Sequence, residues 1–265
     1  MLTSTENQQI KDLVRLREKS SERRRLGRYI AEGEKLVKEL PAGQLLQLYA
    51  SEGYAKTHKL PETSSEPVIL SEKLFLKVSD TKSPQGILAV AKIPEWDKEA
   101  AFKKQAPLFL FAEEIRDPGN LGTMFRLSEG AGADAVFLLG ETADPWSPKT
   151  VRSAMGSLFR VPLYTVSENG GEADFTYEEL GKLCGKQQIK IHGAALTASV
   201  DYASFDYRVG TAFLIGNEAH GLTEKALALA EDHVIIPMLG KVESMNAAMA
   251  SGILLFEAAR QRRVI

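Results

Sequence analysis

Three glycine-bearing stretches gather the polar side chains that could do chemistry. The first is Glu113-Glu114-Ile115-Arg116-Asp117-Pro118-Gly119-Asn120-Leu121-Gly122-Thr123-Met124-Phe125-Arg126. The second is Gly216-Asn217-Glu218-Ala219-His220-Gly221-Leu222. The third is Pro237-Met238-Leu239-Gly240-Lys241-Val242-Glu243-Ser244-Met245-Asn246. Glycines at 216 and 240 would let a backbone approach a ligand closely. Amide, hydroxyl, carboxylate and guanidinium groups nearby form a small polar set that could meet such a ligand. Taken singly, each stretch also reads as a strand-to-helix turn, with Asn120 and Ser244 fitting N-cap positions.

Other chemistries lack their residues. There is no Gly-x-x-x-x-Gly-Lys-Ser/Thr, and Gly130-Ala131-Gly132 does not continue as Gly-x-Gly-x-x-Gly because position 135 is Ala. No Gly-x-Ser-x-Gly elbow occurs. The lone Cys184 excludes a disulfide framework and a cysteine zinc site, and reads as a packing residue. The four histidines, at 58, 192, 220 and 233, have no metal-ligand spacing, so no metal is expected.

The elements that must position these stretches follow from hydrophobic pattern. Leu108–Ala112, Ala135–Leu139, Ile189–Ala194, Ala212–Ile215 and Val234–Pro237 are short apolar runs. Between most of them lie segments suited to helices: Leu121–Glu129, Lys149–Leu158, Tyr177–Lys186 and Thr223–Ala230, with a long final helix over about Ser244 to Arg262. Near-continuous apolar strands alternating with helices predict an α/β fold with a mostly parallel sheet covered on both faces. In such sheets ligands bind beyond the carboxyl ends of strands, where the three stretches fall.

The chain before them has a different texture. Ile10, Leu13, Val14 and Leu16 predict an amphipathic helix, and Leu36, Val37 and Leu40 a second helix over Gly33–Leu40. Leu45–Ala50, Val68–Leu70 and Gly86–Ala91 read as strands. A small α/β domain over 1–93, a proline-bracketed linker over 94–107 and a second domain over 108–265 are expected. The formal net charge is −2, yet residues 1–29 carry eight basic groups against four acidic ones. Such a cluster is either a phosphate-binding footprint or a solvated helix face with Glu–Arg pairs. The polar N-terminus has no apolar signal core, and no apolar run approaches the ~20 residues of a membrane helix. A cytoplasmic setting and no membrane partner are expected.

Together and in order, the three stretches resemble the signature motifs of the SpoU/TrmH family of RNA ribose 2′-O-methyltransferases, within the SPOUT superfamily. Asn120, Gly122 and Arg126 match the first motif. Gly216, Glu218, Gly221 and Leu222 match the second. Ile236, Pro237, Met238, Gly240, Ser244 and Asn246 match the third, with Met245 where the family has Leu. The segment Ser147–Pro162 is also similar, so the likeness spans about Leu108 to Arg263. Residues Leu13 to Leu40, with Tyr29 and Ala31-Glu32-Gly33-Glu34, and Thr81–Ile87 resemble the family's accessory substrate-binding domain.

The resemblance implies a deep trefoil knot, which the general scarcity of knots would not suggest. It implies S-adenosylmethionine as cofactor and a homodimer. The donor would be held at Gly216, Ile236, Met245, Gly240 and Leu196. Arg126, Asn120, Glu218, Ser244 and Asn246 would form the catalytic side, with Glu218 equally suited to holding the loop and His220 an alternative base. RNA would be held by Arg15, Arg23, Arg24, Arg25, Arg28, Arg116 and Arg152. Methylation of structured RNA, ribosomal before transfer RNA, is the expected function. The alternative is a non-catalytic RNA-binding protein of the same fold.

Overall fold

A computed structural model describes residues 2, 4, 6–196, 199–217, 219–242 and 244–263. The chain forms two compact units, Met1–Glu95 with Asp144–Phe159, and Trp96–Ala143 with Arg160–Ile265. The division is not linear in sequence. Residues 144–159, placed by the sequence in the second domain, pack within the first unit.

The first unit holds a four-stranded sheet among its described residues, in the order β1 (Arg28–Glu32), β4 (Ile87–Lys92), β2 (Leu45–Ser51), β3 (Val68–Leu70). Helices α1 (Gln8–Glu18), α2 (Ser20–Leu26), α3 (Glu34–Glu39), α4 (Glu52–Thr57), α5 (Glu72–Val78) and α7 (Pro148–Ala154) accompany it. The Asn7 side chain caps α1, and Ile10, Leu13 and Leu16 turn inward onto Ile30, Leu74 and Phe75. Strand β1 and helices α4 and α5 are not legible as such from hydrophobic pattern. Tyr29 of β1 packs against Trp146 and Phe159, so its neighbours come from far along the chain.

The second unit holds an eight-stranded sheet among its described residues, and every strand pair in it is parallel. Its order is β10 (Val200–Asp201), β12 (Asp232–Ile235), β9 (Lys190–Ala194), β11 (Thr211–Ile215), β5 (Leu108–Glu113), β6 (Ala135–Leu139), β7 (Leu163–Ser167), β8 (Phe175–Thr176). This is the α/β parallel sheet that the apolar runs predict. Helices α6 (Pro118–Ala131), α8 (Tyr177–Lys186), α9 (Glu224–Leu227) and α10 (Ala247–Arg262) belong to it. Strand β7 escapes hydrophobic pattern because polar Thr165 and Ser167 interrupt it.

Phe102, Phe109, Phe111, Phe137, Tyr164 and Phe175 form one aromatic core with edge-to-face contacts. Phe102 and Trp96 lie in the stretch read as linker, yet Phe102 is buried and Trp96 packs on the same core. At its far end α10 is tied down by Arg262, which donates to the carbonyls of Ala106, Pro107, Tyr207 and Val209. Among the described residues, no helix is long and apolar enough to cross a membrane.

Candidate active site

Parallel strands bring the ends of β9, β11 and β12 to one side. There a cleft of about 570 Å³ opens, lined by Leu196, Gly216, His220, Ile236, Met238, Ser244 and Met245 among others. The volume falls in the roughly 300–1,000 Å³ range of small-molecule sites. Apolar Ile215, Leu222 and Leu254 supply much of the wall. Of the residues expected at a donor, Gly216, Ile236, Met245 and Leu196 line the cleft. Gly240 does not, and an added Cβ there would meet nothing within 4 Å. The space beside Gly240 is open, so nothing in the chain itself occupies the room a close approach would use.

Gly216 is also small for a reason the sequence does not disclose. A Cβ on it would sit 2.4 Å from the carbonyl carbon and oxygen of Gly221. The loop closes on itself there, with Asn217 N–H donating to Gly221 O at 3.1 Å and Gly221 N–H to Asn217 O at 2.8 Å. A side chain at 216 would break this turn before it met any ligand.

The same loop is anchored from β5. Glu113, 1 % exposed, accepts from Thr223 N–H at 2.9 Å and from the Thr223 hydroxyl at 2.6 Å. Thr223 in turn caps α9. Asn217 Nδ2 donates to Glu114 O at 2.9 Å. Burial and the neighbouring Glu113 raise the Tyr177 hydroxyl well above its usual range, so it stays protonated beside that carboxylate. Sequence reasoning missed Glu113 as an anchor. Its signal was a carboxylate at the end of an otherwise apolar strand. Glu218, the expected catalytic carboxylate, lies outside the described residues.

The first and third motifs meet through two amides. Asn246 Nδ2 donates to Asn120 Oδ1 at 3.1 Å. Asn246 Oδ1 accepts from Ala248 N–H at 3.0 Å and Met249 N–H at 3.3 Å, which makes Asn246 the N-cap of α10. With the oxygen held by the helix amides, the amide nitrogen must face Asn120. This corrects the expectation of Ser244 as cap; Ser244 is instead an exposed residue lining the cleft. Likewise Asp117, not Asn120, caps α6, accepting from Asn120 N–H at 2.8 Å, with Pro118 in the first turn. Asn120 thus belongs to the helix. Arg126, six residues on, lies about 240° further round it. Arg126 is exposed and does not line the cleft.

Helix α10 packs closely on α6: a Cβ on Gly252 would lie 3.1 Å from Leu127, and one on Gly130 3.3 Å from Phe256. Gly252 and Leu254 are consumed within the chain, so neither is available to a second copy. Met249 and Phe256 stay exposed and Ile253 half-buried.

The expected RNA-binding arginines divide. Arg15, Arg24, Arg25, Arg28 and Arg116 are exposed; Arg15 lies 3.8 Å from Asp12, Arg25 pairs with Glu22 and Arg116 with Glu114. Arg23 is only 4 % exposed, paired with Asp144 and donating to Leu16 and Arg17 carbonyls. Its assignment to RNA is corrected to a structural one, because a guanidinium so paired cannot reach phosphate without leaving Asp144 uncompensated. Arg152 is paired with Asp80 and faces Glu32. Burial pushes the Cys184 thiol up to about 12, in keeping with a packing role. No group of three metal-ligating side chains occurs among the described residues.

Comparison with known proteins agrees with this geometry. The SpoU rRNA Methylase family model matches residues 107–256, and an MRM3-like substrate binding domain model matches residues 7–89. The chain is 34 % identical to a 23S rRNA (guanosine(2553)-2′-O)-methyltransferase, RlmP, of Bacillus subtilis, over 96 % of this chain and 97 % of the relative. It is 31 % identical to a 23S rRNA (uridine(2479)-2′-O)-methyltransferase of Streptomyces viridochromogenes, over 75 % of this chain and 68 % of the relative. Among solved structures, an AdoMet-bound rRNA methyltransferase from Sinorhizobium meliloti superposes with a TM-score of 0.82 at 29 % identity, covering 98 % of this chain and 97 % of that one. With three motifs converging on one side of a parallel sheet and a family model matching more than half its length, the chain belongs to the SpoU rRNA methylase family.

Proposed function

We propose that this chain transfers a methyl group from S-adenosylmethionine to a ribose 2′-hydroxyl of ribosomal RNA. The cleft at the ends of β9, β11 and β12 carries this reading. Its apolar wall suits an adenine ring, and its lining backbone at Gly216, Ile236 and Met245 can hydrogen-bond the adenosine edge. When bound, S-adenosylmethionine supplies a methyl group already activated by sulfonium charge. The chain's own residues then have two tasks, placing the hydroxyl in line and accommodating its proton. Ser244 at the cleft and the Asn120–Asn246 pair supply hydroxyl and amide groups for the first task. Arg126, which lies outside the cleft of its own chain, serves the second task from a second copy, as a cation beside the developing alkoxide. A guanidinium with a pKa above ~12 is a poor base, so Arg126 does not itself take the proton.

The knot implied by the family resemblance and a homodimer belong to the same reading. Arg126 stands outside the cleft of its own chain, and Met249, Ile253 and Phe256 offer an apolar face for a second copy. The first unit, residues 1–95 with 144–159, serves as the substrate-binding domain, and the second, 96–143 with 160–265, as the catalytic domain. The setting is the cytoplasm. Relatives act on guanosine in one case and on uridine in another.

Calorimetric titration with S-adenosylmethionine should show saturable binding. Mapping 2′-O-methyl groups in ribosomal RNA from cells with and without this chain should then show one lost site. Donor binding without any lost site in ribosomal RNA would refute the substrate, and no donor binding would refute the activity.

A further inference from the structure

A second cleft, of about 240 Å³, lies within the first unit and shares no residue with the methyl-transfer motifs. Leu36 and Met155 form apolar walls, and Lys35, Ser83 and Gln85 stand exposed around them. Glu32 lies at its base, but its carboxylate is spent internally. It accepts from the Ser79 hydroxyl, from Asp80 N–H at 3.0 Å and from the Thr81 hydroxyl at 3.0 Å, with Arg152 at 3.9 Å. The side chains left to meet a ligand are then Lys35, exposed and 3.9 Å from Glu39, the Gln85 amide, and the Ser83 hydroxyl, which can donate or accept.

Gln85 is held in one orientation. Its Oε1 accepts Glu34 N–H at 2.8 Å, and only the oxygen end of the amide can do so. Gly33 makes this reach possible: its φ is +107°, and a Cβ there would come within 3.1 Å of that oxygen. Nε2 is then turned away from Glu34, bound to no described residue, as an oriented donor in the cleft that Ser83 and Lys35 also line. Apolar walls for a flat ring, an oriented donor for its edge and a cation at the mouth are the features an extruded nucleotide requires. RNA is read chiefly through such unstacked bases, whose edges pairing does not occupy.

We infer that this cleft takes one unpaired nucleotide of the RNA substrate, its base between Leu36 and Met155, its edge on Gln85 and its phosphate at Lys35. The inference rests on the ribosomal-RNA reading above and says where the first unit grips its substrate. It also separates specific grip from the basic helices α1 and α2, where Arg23 is buried and Arg25 is paired with Glu22.

The test is fluorescence anisotropy with the full chain in 0.15 M salt. The probes are a fluorescein-labelled RNA hairpin with an unpaired loop, and a blunt duplex of the same stem. The variants are Lys35→Ala and Gln85→Glu. The second keeps the oxygen that accepts Glu34 N–H and removes the donor. Both positions are exposed, and unchanged melting temperatures verify the fold. Each variant should weaken hairpin binding about tenfold, the scale of one specific base contact, and leave duplex binding within about twofold. Unchanged hairpin affinity in both variants overturns the inference. So do equal losses on hairpin and duplex, which mark general backbone attraction. In those two cases the wild-type chain still binds RNA and the ribosomal-RNA reading stands. Wild-type chain that binds neither hairpin nor ribosomal RNA overturns both.

Discussion

Two loops that line the cleft at the ends of β9, β11 and β12 are built in opposite ways. In the first, Asn217 and Gly221 are paired by two backbone hydrogen bonds, and Asn217 is tied to Glu114, one residue past β5; Thr223, just beyond, is held by buried Glu113. The stretch after β12 runs to the Asn246 cap of α10, and its described residues include several in open solvent. There Leu239 is fully exposed, Val242 largely so, and a Cβ added at Gly240 would meet open space. A cleft with one rigid and one open wall can keep its shape without a ligand and still admit one. Buried charge with satisfied partners supplies the rigidity, while lack of packing leaves the other wall free to adapt.

Breaking the rigid wall should have the largest effect. Glu113→Leu leaves Thr223 N–H and its hydroxyl without their charged acceptor, and should cost about 3 kcal/mol. Urea unfolding at constant m would read it, and donor affinity should fall at least tenfold alongside. Stability within about 0.5 kcal/mol of wild type would show that the loop needs no such anchor.

Arg126→Ala comes next and probes neither wall. Single-turnover methylation should drop on the order of 10²-fold with S-adenosylmethionine affinity nearly intact, the scale of one transition-state electrostatic contact. Arg126→Lys should recover only part of the rate, since a point charge lacks the planar fork. A loss traced wholly to donor affinity would move Arg126 into the binding wall.

Asn246→Ala removes a cap and the link to Asn120 together. It should destabilise α10 by about 1 kcal/mol. Asn246→Asp should restore most of the stability, because a carboxylate also caps, yet not the rate, because it cannot donate to Asn120. Equal recovery of both would reduce Asn246 to a cap. Leu239→Ala should be the mildest, within about 0.5 kcal/mol in stability as befits a surface site. A change in donor affinity larger than threefold would show that the open wall folds down on its ligand.

Legibility followed range. Tyr177–Lys186 is a helix with the bounds that local pattern indicates, because its capping box and apolar spacing lie within a few residues. Helix α10 begins three residues later than expected, at Ala247, because the cap is chosen by which side chain also meets Asn120. Arg23 looked like one more cation in a basic run and is an internal ion pair with a residue 121 positions away. The contacts that bury it are invisible in the run itself.

Residue order alone determined the chemistry on offer and the fold class. Three stretches of glycine with amide, hydroxyl and guanidinium groups, each after an apolar strand, are local facts, and continuous apolar runs suffice to demand a buried parallel sheet. Tertiary structure decided which of those groups act together. Strand order sets β11 beside β5 and thereby puts Glu113 under Thr223, and the packing of α10 on α6 brings Asn246 to Asn120 across 126 residues. Such pairings depend on how whole elements stack. Hydrophobic periodicity specifies only which face each element buries, not which neighbour it buries that face against.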